Sequence, residues 1–563
     1  MTNSEVNASQ AVTLFLIAGA VLLPWLMLVA SEVCLALYRR AVVRTMRDAV
    51  PLPPAPAAAP PAPHGPTRPV HLDVQAADEP VSKTRGGALY ENWRAAVTQT
   101  TKVYVSAGVV YALLLTAAFA VRFQPLSWPT LVMLLLAFAW PTVLTALLVA
   151  VPKRSRQQQI NVGYWVLFFV VVAVAAESAP ALTGEGIVWL VGANVIATAV
   201  ALVVRARRIR AVAPLIGAFF MLLGIGVAFF FGALMSVGQQ AAGPEQEVSG
   251  GQVAMIIGLM LTLPVVAPLA GWRLLRGIGA WYAAKRTSDE TLTMASIWLI
   301  FAGVHASTIA YDDLRWMSVG LLAFCGFLVC TTVGFRLLRR RAAGTRPPRL
   351  LVLRVFALGR RSRRLFDRLA ARWRHVGSVQ LIAGPDLASS TVEPHEFFDF
   401  LCRRLARRFL ADAQSIDGAI AAVDTRPDHD GRYRITDFFC RDSVWQAVFA
   451  RLAAGSDVVL MDLRGFSGAN CGCTYELSEL LNLVPLERIA IVIDGSTDEP
   501  FLAQTIEQAS VRISPASPNA GSALLRVRLF RESGWRGVDP DPLLRLLCDT
   551  AAPATAPAPA GAH

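Results

Sequence analysis

Apolar and polar positions divide the 563-residue chain into two unlike halves. Up to about residue 340, long apolar runs alternate with short polar loops. Beyond it the apolar runs shrink to strand length and alternate with amphipathic stretches. Runs of about 20 apolar residues are long enough to cross a bilayer as helices. They fall near 11–38, 103–121, 130–151, 161–178, 186–204, 212–237, 252–272, 291–310 and 316–337. The first half is therefore expected to be a multi-pass α-helical membrane domain of about nine spans.

The second half reads differently. Short apolar runs at 350–358 and 378–384, and those ending near Asp462, Asp494 and Phe530, have the length and bulk of buried strands. Between them, RRSRRLFDRLAARWRH places Leu365, Phe366, Leu369 and Trp373 on one helical stripe with arginines opposite. A helix is expected after Glu393-Pro394, with Phe397, Phe398, Leu401, Leu405 and Phe409 on one face. Further helices are expected over RDSVWQAVFARLAAG, CTYELSELLNLV and about 541–548, and Asp430-Gly431 reads as a hairpin turn. Alternating strands and helices predict an α/β domain with a mainly parallel, doubly wound sheet. The expected layout is an anchor over 1–50, a proline- and alanine-rich linker over 51–102 and a helical bundle over 103–340. The α/β domain then spans 346–550 and a disordered tail 551–563.

Composition agrees with a membrane protein: 54% of residues are hydrophobic and 17% charged. The net charge of +13 is almost all arginine, since lysine occurs only at Lys83, Lys102, Lys153 and Lys285. Arginine and alanine richness suggests a bacterial source. Many arginines flank spans, so they are read as topology determinants beside anionic lipid, and no nucleic-acid partner is expected. Arg39, Arg40, Arg44 and Arg47 follow the first run. Lys153, Arg154 and Arg156, then Arg205, Arg207, Arg208 and Arg210, follow two later ones. Arg273, Arg276, Lys285 and Arg286 follow a fourth, and Arg336, Arg339, Arg340 and Arg341 close the last. The intervening loops are poor in positive charge. The positive-inside rule then predicts an inner-membrane protein with its N-terminus outside and its C-terminal domain cytosolic. The N-terminal residues carry no positive charge before the apolar run, which predicts an uncleaved anchor rather than a signal peptide.

A transporter would carry ionisable groups in mid-span. His305 is the main one here, read either as a helix-packing hydrogen-bonder or as a relay. Pro141, Pro264 and Pro268 are read as kinks or, as in some transporters, breaks. No P-loop or G-x-G-x-x-G motif occurs in the second half, and Cys471-Gly472-Cys473 lacks the second pair that a zinc site needs. No metal is expected. Parallel sheets bind ligands beyond the carboxyl ends of their strands, which points to the segments after Phe356, Gly384, Asp462 and Asp494. Asp386, Asp462 and Asp494 are candidate ligand-binding carboxylates there, with helix or loop capping as the alternative.

SDVVLMDLRGFS, YELSELL and RIAIVIDG, with LLVLRVFAL and the arginine-rich helix after it, resemble the core of TIR-type domains over about 350–510. The resemblance implies a flavodoxin-like signalling domain that acts by ligand binding or by self-association into a homo-oligomer. It also implies a possible cleavage of NAD, as substrate or ligand, with Glu476 as the catalytic glutamate. Arg464, Ser467 and Asn470 in the adjoining loop join the ligand-binding candidates. The alternative for Glu476 is a plain interaction with the positive end of its helix. An accessible pocket holding Glu476 and the 464–470 loop would favour the enzyme, and a closed one the interaction module. A hydrated cavity reaching His305 would favour a transporter with a regulatory tail.

Overall fold

The computed structural model describes residues 25–45, 69–76, 86–150, 154–178, 184–206, 212–220, 250–310, 314–341, 346–354, 360–383, 394–410, 413–440, 444–532 and 541–552, with the single positions 209, 223 and 392. They form two compact units. The first holds Met1–Leu37, Val97–Ala342 and Glu393–Phe398; the second holds Tyr38–Ala96, Ala343–Val392 and Asp399–His563.

The first unit is helical. Its elements are α1 (25–45, continuing into the second unit) and α2 (Gly87–Arg122, beginning in the second unit). They are followed by α3 (Trp128–Ala150), α4 (Arg154–Ser178), α5 (Gly184–Val204), α6 (213–220 as described), α7 (Gly250–Ala283), α8 (Asp289–Ile309) and α9 (Met317–Arg341). Seven of these helices, α2 to α5 and α7 to α9, are long and apolar enough to cross a membrane. They coincide with seven of the nine expected runs. The other two, 11–38 and 212–237, are helical over 25–38 and 213–220, and the rest of each lies outside the described residues. Helix α8 starts where the sequence offers a cap. The Ser288 Oγ accepts from the Thr291 N–H at 3.0 Å, and Asp289 and Glu290 occupy the first turn, at the positive end of the helix. Pro141 lies within α3, and Pro264 and Pro268 within α7, without breaking either helix.

Trp298 of α8 is the hub of this unit. Its ring stacks on Phe327 of α9 at 4.2 Å and meets Tyr111 of α2 edge-on at 4.9 Å. Its Nε1 donates to Thr145 Oγ1 of α3 at 3.0 Å. An indole gives both apolar area and one donor, so a single side chain joins four helices without an orphaned polar atom. A Cβ at Gly320 would come within 2.6 Å of the Ala302 carbonyl oxygen, so α8 and α9 pack backbone to backbone there.

The second unit is built on an eight-stranded sheet: β1 (Val70–Ala76), β2 (Arg349–Arg354), β3 (Ser378–Ala383), β4 (Phe409–Leu410), β5 (Ile435–Cys440), β6 (Val458–Asp462), β7 (Ile489–Ile493) and β8 (Leu525–Arg531). The order is β1-β8-β7-β6-β2-β3-β5-β4, and every pair is parallel. Alternate residues of each central strand enter separate cores, as the two-residue strand period requires. Leu351, Val459, Met461, Ile489 and Ile491 pack with α13 (Trp445–Gly455), α14 (Cys471–Leu483) and α15 (Glu499–Val511). Leu350, Val352, Val458, Leu460, Ala490 and Val492 pack with α10 (Arg360–Trp373) and α16 (Asp541–Ala551). Strands covered on both faces need continuous apolar runs, which is why these strands stand out in the sequence.

Three expectations need correction. Part of the stretch read as linker, Val70–Ala76, is a sheet strand, in seven-residue parallel register with β8. The helix after Pro394 stops early: α11 covers Pro394–Leu401, Arg403 takes φ 57°, and Leu405–Arg408 is a 3-10 turn leading into β4. Phe409 is thus a strand residue, paired with Phe439 of β5. The Asp430-Gly431 turn exists, with Gly431 at φ 83°, but it leads into β5, whose partners are both parallel, so it joins no hairpin. The remaining helix of this unit, α12 (Ala413–Ala421), precedes that turn.

Candidate functional site

The chain leaves β2 toward β3 on one side and returns through β6 on the other, so the strand order reverses at β2. The carboxyl ends of β2 and β6 therefore flank the crevice where parallel sheets take ligands. Asp462 is the last residue of β6 and pairs in register with Arg354 of β2 and Val492 of β7. Residues 355–359, which continue β2, lie outside the described residues, as does Asp386 with the rest of 384–391.

Asp462 and Arg464 are brought together. Arg464 Nε donates to Asp462 Oδ1 at 2.8 Å and Nη2 to Oδ2 at 2.7 Å, a two-point ion pair. Its Nη1 donates to Glu532, just beyond β8. All three are largely buried, with the Asp462 and Arg464 side chains 5% and 4% exposed. Burial pulls the Arg464 pKa down, but the hydrogen bonds and charges of Asp462 and Glu532 outweigh it and raise it. The guanidinium is committed to these carboxylates. Gly465 follows at φ 69°, a turn that favours glycine.

The rest of the loop is closed on itself. The Asn470 Oδ1 accepts from the Ser467 N–H at 2.9 Å, and the Asn470 N–H donates to the Ser467 carbonyl at 3.0 Å. Asp494, beyond β7, accepts from the Ser496 N–H at 2.9 Å and its hydroxyl at 2.5 Å. Thr497 Oγ1 donates to the Leu463 carbonyl at 3.0 Å and accepts from the Asp494 N–H at 3.1 Å. The loops after β6 and β7 are thus stitched together. Asp494 caps its own turn, the alternative that its position left open.

Glu476 differs from all of these. It lies on the inward face of α14 with Cys473, Leu477 and Leu480, and is 4% exposed. Its Oε2 is buried without a hydrogen-bond partner. Burial alone pushes its pKa up to about 8, so it is protonated at neutral pH. The neighbouring Cys473 thiol is pushed up to about 12, by burial first and then by the charges of Glu476 and Asp462. A thiol so placed is unreactive. Its partner in the C-x-C pair, Cys471, is exposed.

The unit thus holds a neutral carboxyl on the inward face of α14 and a charged triad at the strand ends, with the Cys473 thiol feeling the charges of both Glu476 and Asp462. Glu532 and Thr497 were not among the sequence candidates. Glu532 directly follows a predicted strand, the position that a carboxyl-end site recruits, but its partner is fixed only by the strand order.

In the first unit His305 is fully engaged. Asn194 Nδ2 donates to the Leu190 carbonyl at 3.0 Å, which leaves Asn194 Oδ1 to accept from His305 Nε2 at 3.2 Å. His305 Nδ1 then accepts from the Tyr111 hydroxyl at 3.0 Å. This is the helix-packing role, in which both ring nitrogens are spent.

Compared with known protein families, characterised proteins and solved structures, the chain finds no match.

Proposed function

We propose that this chain is a signalling protein of the bacterial inner membrane, with a cytosolic TIR-like domain that works by ligand binding or self-association beyond the carboxyl ends of β2 and β6. The carrying observation is the order reversal at β2, with the buried Asp462–Arg464–Glu532 triad at that end of the sheet. Without the edge strand β1 and the inserted β4 and β5, the order β3-β2-β6-β7-β8 is the 2-1-3-4-5 of doubly wound flavodoxin-like domains. Glu476 is 4% exposed and the 464–470 loop is tied down, which favours interaction over open catalysis.

Strand parity supports the nine-span layout. Strand β1 precedes the helices α2 to α9 and β8 follows them, yet the two pair directly. Both must lie on one side of the membrane, so the chain between them crosses an even number of times. Seven candidate spans are described there, and the apolar run at 212–237 supplies an eighth. With the first run, the total is nine. The arginine-rich loops favour the cytosol as the shared side.

The second reading is NAD cleavage. It rests on Glu476, a buried carboxyl held without a partner, which is the kind of group that functional sites keep at a cost. A cationic nicotinamide ring brought beside it would favour its ionised form. The test uses full-length protein in lipid nanodiscs with NAD, following nicotinamide release and particle mass for wild type and Glu476→Gln. The signalling reading predicts retained NAD or larger assemblies without nicotinamide release. Release that disappears in Glu476→Gln would replace it with the hydrolase. Neither binding, assembly nor release would defeat both readings.

A further inference from the structure

At the opposite end of the sheet, where β2 begins, the second unit forms a half-open pocket of about 440 Å³. Three guanidinium groups line it: Arg346, Arg349 and Arg451. One carboxylate, Asp417, is present, and Ile420 and Val423 give an apolar wall. The charges are not balanced within it. Arg451 Nε lies 3.2 Å from Asp417 Oδ1, and both side chains are well exposed. Arg349 Nε lies 3.9 Å from Asp457, beyond hydrogen-bond range, and is buried without a hydrogen-bond partner. The Asp457 carboxylate instead accepts from the Arg349 backbone N–H at 2.8 Å. Burial first, and the Arg346 charge next, push the Arg349 pKa down, with Asp457 offsetting. Three cations thus face one space against two carboxylates, Asp417 and Asp457, and Arg346 is in no ion pair among the described residues. Such repulsion is relieved when an anion bridges the guanidinium groups, and phosphate suits their planar donor pairs.

We propose that this pocket is a binding site for a phosphate group, held by Arg346, Arg349 and Arg451 with the remainder of the ligand against Ile420 and Val423. The volume suits a small phosphorylated molecule or a lipid headgroup. Arg346 follows the last residue of α9 by five positions in the sequence, which places the site next to a membrane-spanning segment in the chain. The site shares no residue with the Asp462–Arg464–Glu532 triad or Glu476, so it does not depend on the function proposed above.

Full-length protein in nanodiscs tests this by hydrogen exchange over α12 (413–421) and α13 (445–455). One arm uses neutral phosphatidylcholine nanodiscs with added AMP or inorganic phosphate, against sodium chloride of equal ionic strength. The other replaces part of the lipid with phosphatidic acid or phosphatidylglycerol and adds no soluble phosphate. Arg346→Gln and Arg451→Gln are run in both; both side chains are exposed, and unchanged exchange of β6 and β7 in the variants certifies their fold. The proposal expects slower exchange of α12 and α13 in at least one arm. It expects a roughly fivefold to tenfold weaker dependence on the phosphate probe in each variant, as loss of one arginine contact implies. Protection in the first arm alone identifies a soluble phosphate compound, and in the second alone a lipid headgroup. Protection matched by sodium chloride, unchanged in both variants, or absent from both arms overturns the proposal.

Discussion

The two units bury different kinds of polar groups: hydroxyls, an amide and an imidazole at the centre of the helical unit, carboxylates and a guanidinium at the strand ends of the α/β unit. At the centre of the helical unit His305 takes Tyr111 and Asn194, and Trp298 takes Thr145, while the Thr142 hydroxyl is buried without a hydrogen-bond partner. In the α/β unit the one Arg464 guanidinium bridges the carboxylates of Asp462 and Glu532, and Glu476 is buried with an unpartnered oxygen. Inside a bilayer no water can rescue an orphan, so polar side chains there serve as packing. In the α/β unit the loop after β6 runs directly into the helix that carries Glu476, and a group can be held at a cost for a ligand that later completes it.

The largest effect that would break this contrast is at Arg464. Arg464→Ala strands Asp462 and Glu532 as buried, uncompensated charges, and should cost about 3–5 kcal/mol of stability in that unit. Hydrogen exchange of β6 and β8 in full-length protein reads this directly, and an unchanged rate would mean that the triad is solvated. Glu476→Gln should act with the opposite sign. With a folded pKa of about 8 against an ordinary 4.5, Glu476 binds its proton more tightly folded than unfolded. Its contribution is therefore fully present below about pH 4.5 and lost as pH rises through about 8. The variant should match wild type near pH 5 and be the more stable of the two at pH 9, by a few kcal/mol; equal stability at both pH values would place a partner on Glu476. The smallest effect is in the bundle. His305→Leu leaves Tyr111 and Asn194 without their shared partner and should cost roughly 1–2 kcal/mol, seen in thermal unfolding, with no change in any activity of the α/β unit. Loss of a transported ion flux in that variant would restore the transporter reading.

Much of this architecture is legible in the chain because it rests on continuous apolar runs. Seven spans and the strands β2, β3, β6, β7 and β8 are such runs; the strands lie within a few residues of their expected places, while α2 begins well before the expected 103–121 and α7 runs well past the expected 252–272. What escapes is set by distant partners. Strand β1, VHLDVQA, is polar at every second position and preceded by a proline-rich stretch; its place in the sheet comes only from pairing with β8. Strand β5, ITDFFC, carries Asp437 in mid-run, which hides it. The helix after Pro394 fails because apolar spacing cannot reveal the left-handed Arg403 that ends it. At the site, Asp462 and Arg464 were legible as strand-end residues, but their mutual pairing and Glu532 were not, since both depend on which strands are neighbours. Strand β1 also changes how the domain should be handled: a fragment beginning at 346 would leave the β8 edge bare, so assays require the full chain.

The most direct test is an infrared titration of full-length protein in nanodiscs, as the difference between wild type and Glu476→Gln from pH 5 to pH 9. The account predicts a protonated carboxyl band that persists at pH 7 and disappears as pH passes about 8. A band already lost by pH 6 would mean that Glu476 is ionised and partnered, and would remove the distinction between the two units.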